Sequence, residues 1–177
     1  MLGSSFGPAA VVWTEAGSRA RVLRVFLPGR GGGCSSAMRA FPGAVERTCP
    51  EMKRLTRVIE RLLTGADVSF DLESVALDCC SVFQQQVLRA EHAVPRGRVT
   101  THGRLAAQAD RPCAARAAGD ALATNLLPLI VPCHRAVGSG GGLGGYQGGT
   151  SMKRALLEME GVGFRPEGRV LPALLLP

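Results

Sequence analysis

Two glycine-rich segments divide the sequence and limit the length of any regular element within it. The first, PGRGGGCSS, covers residues 28–36, and the second, GSGGGLGGYQGG, covers residues 138–149 with eight glycines in twelve positions. Glycine loses more backbone freedom on folding than other residues, so we expect the first segment to be a loop or linker. The second is either a flexible linker or, since Tyr146 lies within it, a loop whose backbone approaches a flat ligand closely.

The residues around the first segment predict a small N-terminal domain over residues 1–78 without catalytic residues. Residues 10–27 are typical of two strands joined by a turn near Gly17 and Ser18. A helix with apolar side chains at helical spacing is predicted to begin near Pro50 and to stop at Gly65. The apolar content is 46% but the aromatic content only 5%, which predicts an aliphatic core.

The second half of the chain, residues 79–177, is predicted to be mostly helical. Ser81 and Gln84 form the capping-box pattern that starts a helix, and Pro95 lies beyond its end. A last helix is predicted from about residue 150 to 160. The fold class is therefore α/β (α+β): a small sheet-plus-helix domain followed by a mostly helical domain with an active-site loop.

Two short helices separated by a tight break resemble a helix-turn-helix. The first covers about residues 103–109 after Thr101 as a cap, and the second covers about 112–124 with Pro112 in its first turn. Asn125 suits the end of the second helix because asparagine tolerates the left-handed conformation. Helix pairs that merely pack are commoner, so spacing alone leaves both interpretations open. One face of the second helix carries the small-residue stripe Ala115, Ala118, Gly119 and Leu122.

Positive charge is concentrated in the same region. The formal net charge is +7, and residues 96–116 hold five arginines against the single acid Asp110. Arginine makes forked contacts to phosphate, so the cluster favours a nucleic-acid partner over an ordinary solvated face. Charge alone would support only non-specific affinity. The five are Arg96, Arg98, Arg104, Arg111 and Arg116.

Other features exclude several classes of protein. No apolar run reaches the ~18 residues of a membrane span, and the N-terminus lacks a secretory signal. We therefore expect an intracellular protein, cytoplasmic or nuclear. The six cysteines include no C-x-x-C pair, so we expect reduced thiols rather than a disulfide framework. A zinc site built from the cysteines of the first half is the less favoured alternative.

Cys133 in the segment IVPCHR is the candidate nucleophile. Cysteine reacts as the thiolate, so a base must raise its ionised fraction. His134 is adjacent, but neighbours in an extended chain point to opposite sides, so their contact would need a water or a bent backbone. Glu160 is the candidate carboxylate that orients the histidine. A Cys-His pair alone is more often structural than catalytic.

Seven sequence pieces between Phe83 and Gly161 give this pair its context. They resemble, in order and spacing, the catalytic domain of the O6-alkylguanine-DNA alkyltransferases, also called methylated-DNA–protein-cysteine methyltransferases. The resemblance covers about 80 residues, and residues 1–78 agree with the family only in length and position. The pieces are FQQQVL, RVTTHGRLA, AARAAGDAL, NLLP, IVPCHR, LGGYQGG and KRALLEMEG.

The resemblance implies DNA repair by irreversible, single-turnover transfer of the alkyl group of O6-alkylguanine onto Cys133. O4-alkylthymine is a second candidate substrate. His134 would take the thiol proton through a water, Glu160 would hold His134, and Asn125 would brace the turn before the active-site strand. Arg116 would enter the duplex and fill the gap left by the flipped nucleotide.

The resemblance also implies a DNA-binding surface and a base pocket. The partner would be double-stranded DNA containing alkylated guanine, bound by a monomer without a metal or organic cofactor. DNA would be contacted by Thr101, His102, Ala115 and Arg116, and the base pocket would be formed by Leu122, Ala136, Tyr146, Gln147 and Lys153.

Two residues depart from the family pattern. His102 stands where a tyrosine usually contacts phosphate, and its charge depends on pH, so we expect DNA engagement to weaken between about pH 6 and 8. Ala136 stands where a valine usually follows PCHR, which implies a more open pocket wall.

Three other functions are each disfavoured by a feature of this sequence. A non-repairing protein that binds and flags alkylated bases would lack the acceptor Cys133. A transcriptional regulator would need a second DNA-binding module or a cysteine-rich sensor segment. A cysteine hydrolase would need an oxyanion site and would leave the arginine-bearing helices unexplained.

Overall fold

The computed structural model describes residues 6–17, 19–28 and 33–176. The chain divides into two compact units. The first comprises Met1–Leu77 with Leu126–Ile130, and the second comprises Asp78–Asn125 with Val131–Pro177. The fold is the mixed α/β class that the sequence predicts. None of the helices within the described ranges is long and apolar enough to cross a membrane.

The first unit contains the predicted strand pair. Strands β1 (Ala10–Ala16) and β2 (Arg19–Phe26) are antiparallel, with Ala10 opposite Phe26 and a register shift between Val12 and Trp13. The predicted turn residue Ser18 lies outside the described residues.

Two helices complete the first unit. Helix α2 (Pro50–Leu63) starts at a proline, as predicted, whereas α1 (Gly33–Ala40) lies partly where a linker was expected. The linker prediction was therefore wrong from Gly33 onward, and residues 29–32 lie outside the described part. A Cβ at Gly33 would lie 2.8 Å from the Pro8 carbonyl oxygen, so this glycine serves close packing rather than flexibility.

The core of the first unit is aliphatic, as the composition predicts. The segment Leu126–Ile130 belongs to it, and the Val25 N–H donates to the Leu126 carbonyl at 2.8 Å. No group of three His, Cys, Asp or Glu side chains that could hold a metal ion occurs among the described residues. Buried side chains of this core include Val22, Val25, Ile59, Leu62, Leu63, Leu127 and Ile130.

The second unit is mostly helical around one short parallel strand pair. Strand β3 (Thr100–Thr101) pairs with β4 (Ala136–Val137), with Thr100 opposite Ala136. This pairing sets the start of the first short helix beside the chain that follows Cys133. Its helices are α3 (Val82–His92), α4 (His102–Gln108), α5 (Ala115–Ala123) and α6 (Thr150–Met159).

Side-chain caps start two of these helices, as the sequence predicts. The Gln84 N–H donates to Ser81 Oγ and the Arg104 N–H donates to Thr101 Oγ1, both at 3.3 Å. The Gln84 side chain does not complete the capping box. Its Nε2 donates instead to the Ala121 carbonyl at 3.1 Å and to Thr124 Oγ1 at 3.0 Å, which links α3 to α5.

The break between α4 and α5 differs from the prediction. Asp110 takes the left-handed conformation with a φ of 57°, and α5 begins only at Ala115, so Pro112 precedes the helix. Asn125 does not adopt a positive φ. It is held by hydrogen bonds instead: its N–H donates to the Leu122 carbonyl and its Nδ2 to the Val131 carbonyl.

The C-terminal segment, for which the sequence predicted no role, packs against β3. The Val99 N–H donates to the Leu174 carbonyl at 3.0 Å, and the Leu176 N–H donates to the Val99 carbonyl at 2.8 Å. Phe164 and Leu174 cover a buried cluster beneath the strand pair. That cluster consists of Val99, Val137, Leu157, Val162 and Val170.

Candidate active site

A cavity of about 500 Å³ lies within the second unit, at the junction of α4, α5, the strand β4 and the glycine-rich loop. Its wall is made mostly of small and apolar groups with a few polar side chains, the usual composition of a site for a flat organic ligand. It is lined by His102, Gly119, Leu122, Ala123, Cys133, Ala136, Gly145, Tyr146, Gln147 and Lys153.

Cys133 lies in this wall and is itself buried, with 6% of its surface exposed. Residues Cys133–Arg135 form a 3₁₀ turn, so the backbone at this point is bent, one of the two alternatives left open by the sequence. Proline at position 132 precedes the turn, and the Arg135 N–H donates to its carbonyl at 2.8 Å. Burial raises the pKa of the Cys133 thiol to about 12, against the opposing effects of an Asn125 hydrogen bond and the Lys153 charge. The resting residue is therefore a neutral thiol.

His134 and Glu160 form a buried pair behind Cys133. His134 Nε2 lies 2.9 Å from Glu160 Oε1, and the His134 side chain is fully buried. Burial lowers the pKa of His134 more than the Glu160 carboxylate raises it, so the imidazole is neutral at pH 7. With the Nε2 proton assigned to the Glu160 bond, Nδ1 is an acceptor, and it has no hydrogen-bond partner.

Arg135 completes this group and was not anticipated. Its Nε donates to Glu160 Oε2 and its Nη2 to Oε1, both at 2.9 Å, and its Nη1 donates to the Val94 carbonyl. Burial by itself would raise the pKa of Glu160, but hydrogen bonds and charge from His134 and Arg135 lower it to about 2. Glu160 therefore stays ionised and fixes the orientation of both neighbours.

Lys153 and Tyr146 also line the cavity. The Lys153 ammonium is buried and donates to the Ala136 carbonyl at 2.6 Å, to the Leu143 carbonyl and, at 3.5 Å, to the Gly145 carbonyl. Its hydrogens are thus used to hold the loop. Burial lowers the pKa of Lys153, against the opposing effect of Cys133 and Glu91. The Tyr146 hydroxyl is buried without a partner, and its ring meets His134 edge to face at 6.3 Å.

Gln147 connects the glycine-rich loop to the end of α5. Its Nε2 donates to the Asn125 carbonyl at 2.7 Å and to the Ala123 carbonyl at 3.1 Å. The loop is therefore tied down at this point, which disfavours the interpretation of a flexible linker. Leu122 and Ala136 are buried and complete the lining between these elements.

The residues expected to contact DNA lie around the mouth of the cavity or on the adjoining helices. Half-buried His102 lines the cavity and packs against Gly119, where a Cβ would lie 3.8 Å from its ring. Burial and the Lys153 charge lower the pKa of His102 below its ordinary value of 6.5. Thr101 acts as the cap of α4, and Ala115 and the exposed Arg116 begin α5.

Three of the five clustered arginines make contacts within the chain. Arg96 donates to the Met159 carbonyl at 2.6 Å, Arg98 donates to the Ala173 carbonyl at 3.1 Å, and Arg111 lies over the Phe83 ring. These three side chains therefore have roles within the chain besides any contact with phosphate. Arg116, in contrast, is exposed on α5.

The predicted site residues fall into three groups in space. His102, Leu122, Cys133, Ala136, Tyr146, Gln147 and Lys153 line one cavity, whereas Asn125, His134 and Glu160 support it from behind. Thr101, Ala115 and Arg116 are not part of the lining. Besides Arg135, the sequence interpretation missed Glu91, although its spacing from Val87 and Leu88 places it on the buried face of α3.

Comparison with known proteins agrees with this geometry. The model of the 6-O-methylguanine DNA methyltransferase DNA-binding domain matches residues 82–162. The methylated-DNA–protein-cysteine methyltransferase of Methanothermobacter thermautotrophicus is 42% identical over 111 residues, 63% of this chain and 62% of that protein. The protein of the same name from Mycobacterium tuberculosis is 41% identical over 121 residues, 68% of this chain and 66% of that protein. The chain thus aligns with slightly less than two thirds of the length of these relatives.

Solved structures extend the likeness over both units. Mycobacterium tuberculosis OGT in complex with DNA has a TM-score of 0.68 at 30% identity, with 90% of each chain covered. The O6-methylguanine-DNA methyltransferase of Pyrococcus kodakaraensis has a TM-score of 0.63 at 26% identity, with 88% of this chain and 100% of that chain covered. On this agreement of sequence, fold and site geometry, the chain belongs to the methylated-DNA–protein-cysteine methyltransferase family.

Proposed function

We propose that this protein repairs DNA by moving the alkyl group of O6-alkylguanine onto Cys133 in a single turnover. One observation carries the proposal: the Cys133 thiol lines a cavity of about 500 Å³ and is backed by the buried His134–Glu160 pair. A nucleophile, a base and an orienting carboxylate are the parts that cysteine chemistry requires. The relatives of this chain bear the name of that reaction.

Activation of the thiol follows from the protonation states of the resting site. Because the pKa of Cys133 is raised to about 12, the thiol must give up its proton as the reaction proceeds. His134 Nδ1 is the buried acceptor without a partner, reached directly or through one water. The imidazolium that forms is stabilised by Glu160, whose low pKa keeps it negatively charged. The Arg135 bonds hold that carboxylate in place.

The transfer step is a displacement at the alkyl carbon. The Cys133 sulfur forms a bond to carbon while the carbon–O6 bond breaks, and its electron pair stays on the guanine, which then takes up a proton. The Lys153 charge and the Tyr146 hydroxyl lie in the same wall and can stabilise the negative charge that develops. The product is a thioether, which has no acidic proton and whose sulfur is a poor leaving group from the alkyl carbon. The transfer is therefore irreversible and ends after one turnover.

The substrate base must leave the duplex, because O6 is not open to in-line attack within the stack. Helix α5 suits close approach to the DNA backbone, since Ala115, Ala118 and Gly119 present little side-chain bulk. Arg116, exposed in the first turn of α5, would fill the gap, with Thr101 and His102 near the phosphates. The partner is accordingly double-stranded DNA bound by a monomer, and O4-alkylthymine is a second candidate substrate.

The test is the intact mass of the protein after incubation with duplex DNA containing O6-methylguanine. We expect the gain of a single methyl group, located on Cys133 by peptide mapping and absent from Cys133→Ala. Cys113→Ala is the matched control, because that thiol is exposed and does not line the cavity, and this variant should still be methylated on Cys133. Unmodified protein that nevertheless binds the lesion would contradict repair and favour a lesion-flagging function.

A further inference from the structure

A buried carboxyl group that the proposed reaction does not use lies close to the active-site turn. Glu91 on α3 is 0% exposed; the backbone N–H of Ala136 acts on its carboxyl and lowers its pKa, but neither oxygen has a hydrogen bond of full geometry. Helix α3 packs against the turn Cys133–Arg135, with Val87 and Leu88 on the same buried face as Glu91. An acidic side chain so placed is rare, because burying it without a cation in direct contact is unfavourable.

Charged groups from two neighbouring elements act on Glu91. Lys153 from α6 and Arg135 from the active-site turn favour its ionised form, whereas Glu160 opposes it. None of them shares a hydrogen bond with it. The Lys153 hydrogens are directed at backbone carbonyls, and Arg135 binds Glu160 and the Val94 carbonyl. Their influence on Glu91 is therefore one of charge.

A count of the buried charges shows why Glu91 matters to Cys133. With Glu91 and Cys133 protonated and His134 neutral, Arg135 is balanced by Glu160, and the charge of Lys153 is unbalanced. One further negative charge would be compensated by Lys153, whereas two would leave an uncompensated anion in a buried site. Both Cys133 and Glu91 are within range of Lys153, and ionised Glu91 raises the pKa of Cys133. The two acids therefore titrate as a coupled pair.

We propose that Glu91 is a positioning residue that controls the ionisation of Cys133 through the charge of Lys153. When Glu91 is protonated, the Lys153 charge is available to stabilise the Cys133 thiolate. When Glu91 is ionised, it opposes the formation of that thiolate. This inference rests on the proposed function, because it concerns the reactivity of the same acceptor. Glu91 does not touch the substrate; it acts through Lys153 and Cys133. Burial raises the pKa of Glu91 to about 8, so the suppression would begin in the mildly alkaline range.

The experiment is the pH profile of the single-turnover rate on O6-methylguanine duplex DNA between pH 6.5 and 9.5. We expect the wild-type rate to level off above about pH 8, whereas the rate of Glu91→Gln, which cannot ionise at this position, continues to rise. At pH 9 about a tenth of wild-type molecules would keep Glu91 protonated, so the two profiles should separate by about tenfold relative to pH 7. Glu91→Leu should behave as Glu91→Gln does, which separates charge from packing. Glu158→Gln removes an exposed carboxylate on α6 and should follow the wild type.

A second readout distinguishes this inference from the repair function. The rate at which iodoacetamide alkylates Cys133, followed by peptide mass over the same pH range, reports the thiolate without DNA. If Cys133 accepts no methyl group from DNA but iodoacetamide still shows the Glu91-dependent separation, the inference stands and the repair function fails. Superimposable wild-type and Glu91→Gln profiles in the iodoacetamide assay would overturn the inference.

Discussion

Replacing Glu160 with glutamine removes one negative charge and keeps the shape of the side chain. In the native chain this carboxylate accepts three hydrogen bonds at 2.9 Å, one from His134 and two from Arg135. Glutamine can accept at one atom only and leaves the Arg135 guanidinium buried without a counter-charge. We therefore expect Glu160→Gln to lower the free energy of unfolding and to slow alkyl transfer.

The size of the loss in stability follows from the pKa of Glu160, which is lowered from 4.5 to about 2. A carboxyl whose pKa is depressed in the folded state stabilises above its unfolded pKa, and this contribution is lost as pH falls through the folded pKa. At about 1.4 kcal/mol per pH unit, the contribution is about 3 kcal/mol at pH 7 and about 1 kcal/mol at pH 3. A loss of about 3–5 kcal/mol is also usual when one partner of a buried ion pair is removed.

Urea unfolding of wild type and Glu160→Gln at pH 7 and at pH 3 measures both values. Glu158→Gln is the matched control, because the Arg154–Glu158 pair has a similar distance, 2.8 Å, but is exposed. An exposed pair contributes at most about 1 kcal/mol, and the control should lose no more than that. The reasoning is refuted if Glu160→Gln and the control lose equal stability at pH 7, or if the loss at pH 3 equals the loss at pH 7.

Two further predictions concern the DNA-binding residues. Arg116→Ala should slow repair of duplex DNA by on the order of tenfold while reaction with free O6-benzylguanine falls much less, because only the duplex requires base flipping; equal losses would contradict the gap-filling role. Since the pKa of His102 is lowered below 6.5, its charge is lost as pH rises through a range below 6.5 rather than between 6 and 8. Repair rates of wild type and His102→Tyr should therefore diverge only below about pH 6.5, and divergence between pH 7 and 8 would contradict this.

The sequence was sufficient where local chemistry determines local structure. Ser81 and Thr101 each have a hydroxyl that accepts the N–H three residues later, which makes helix starts readable from single residues. Asn125 shows the limit. Its side chain is used to bond the Val131 carbonyl across the loop, a contact that no local preference specifies, and its backbone does not take the predicted left-handed conformation.

The site residues that belong to family motifs could be predicted from the sequence, whereas the other buried charged residues could not. Cys133, His134 and Glu160 are identified by the sequence pieces that surround them, and the structure places them in one buried group. Arg135 and Glu91 were missed because charged side chains are normally exposed, and a pattern of apolar spacing treats them as surface. Their burial is specified by tertiary contacts between α3, the active-site turn and Glu160.

These buried charges bear on how the proposed single-turnover acceptor would stay unreacted until it meets its substrate. A thiolate formed at rest would react with any small electrophile and consume the protein. Burial of Cys133 keeps the thiol protonated, with its pKa at about 12, and only a base held inside the same site can take the proton. His134 meets that need because its burial keeps the imidazole neutral, while the bond of Nε2 to Glu160 leaves Nδ1 available. The thiol then becomes reactive when the alkyl carbon of a substrate lies next to the sulfur. As the sulfur–carbon bond forms, the negative charge moves from the sulfur to the guanine and does not remain in the buried site.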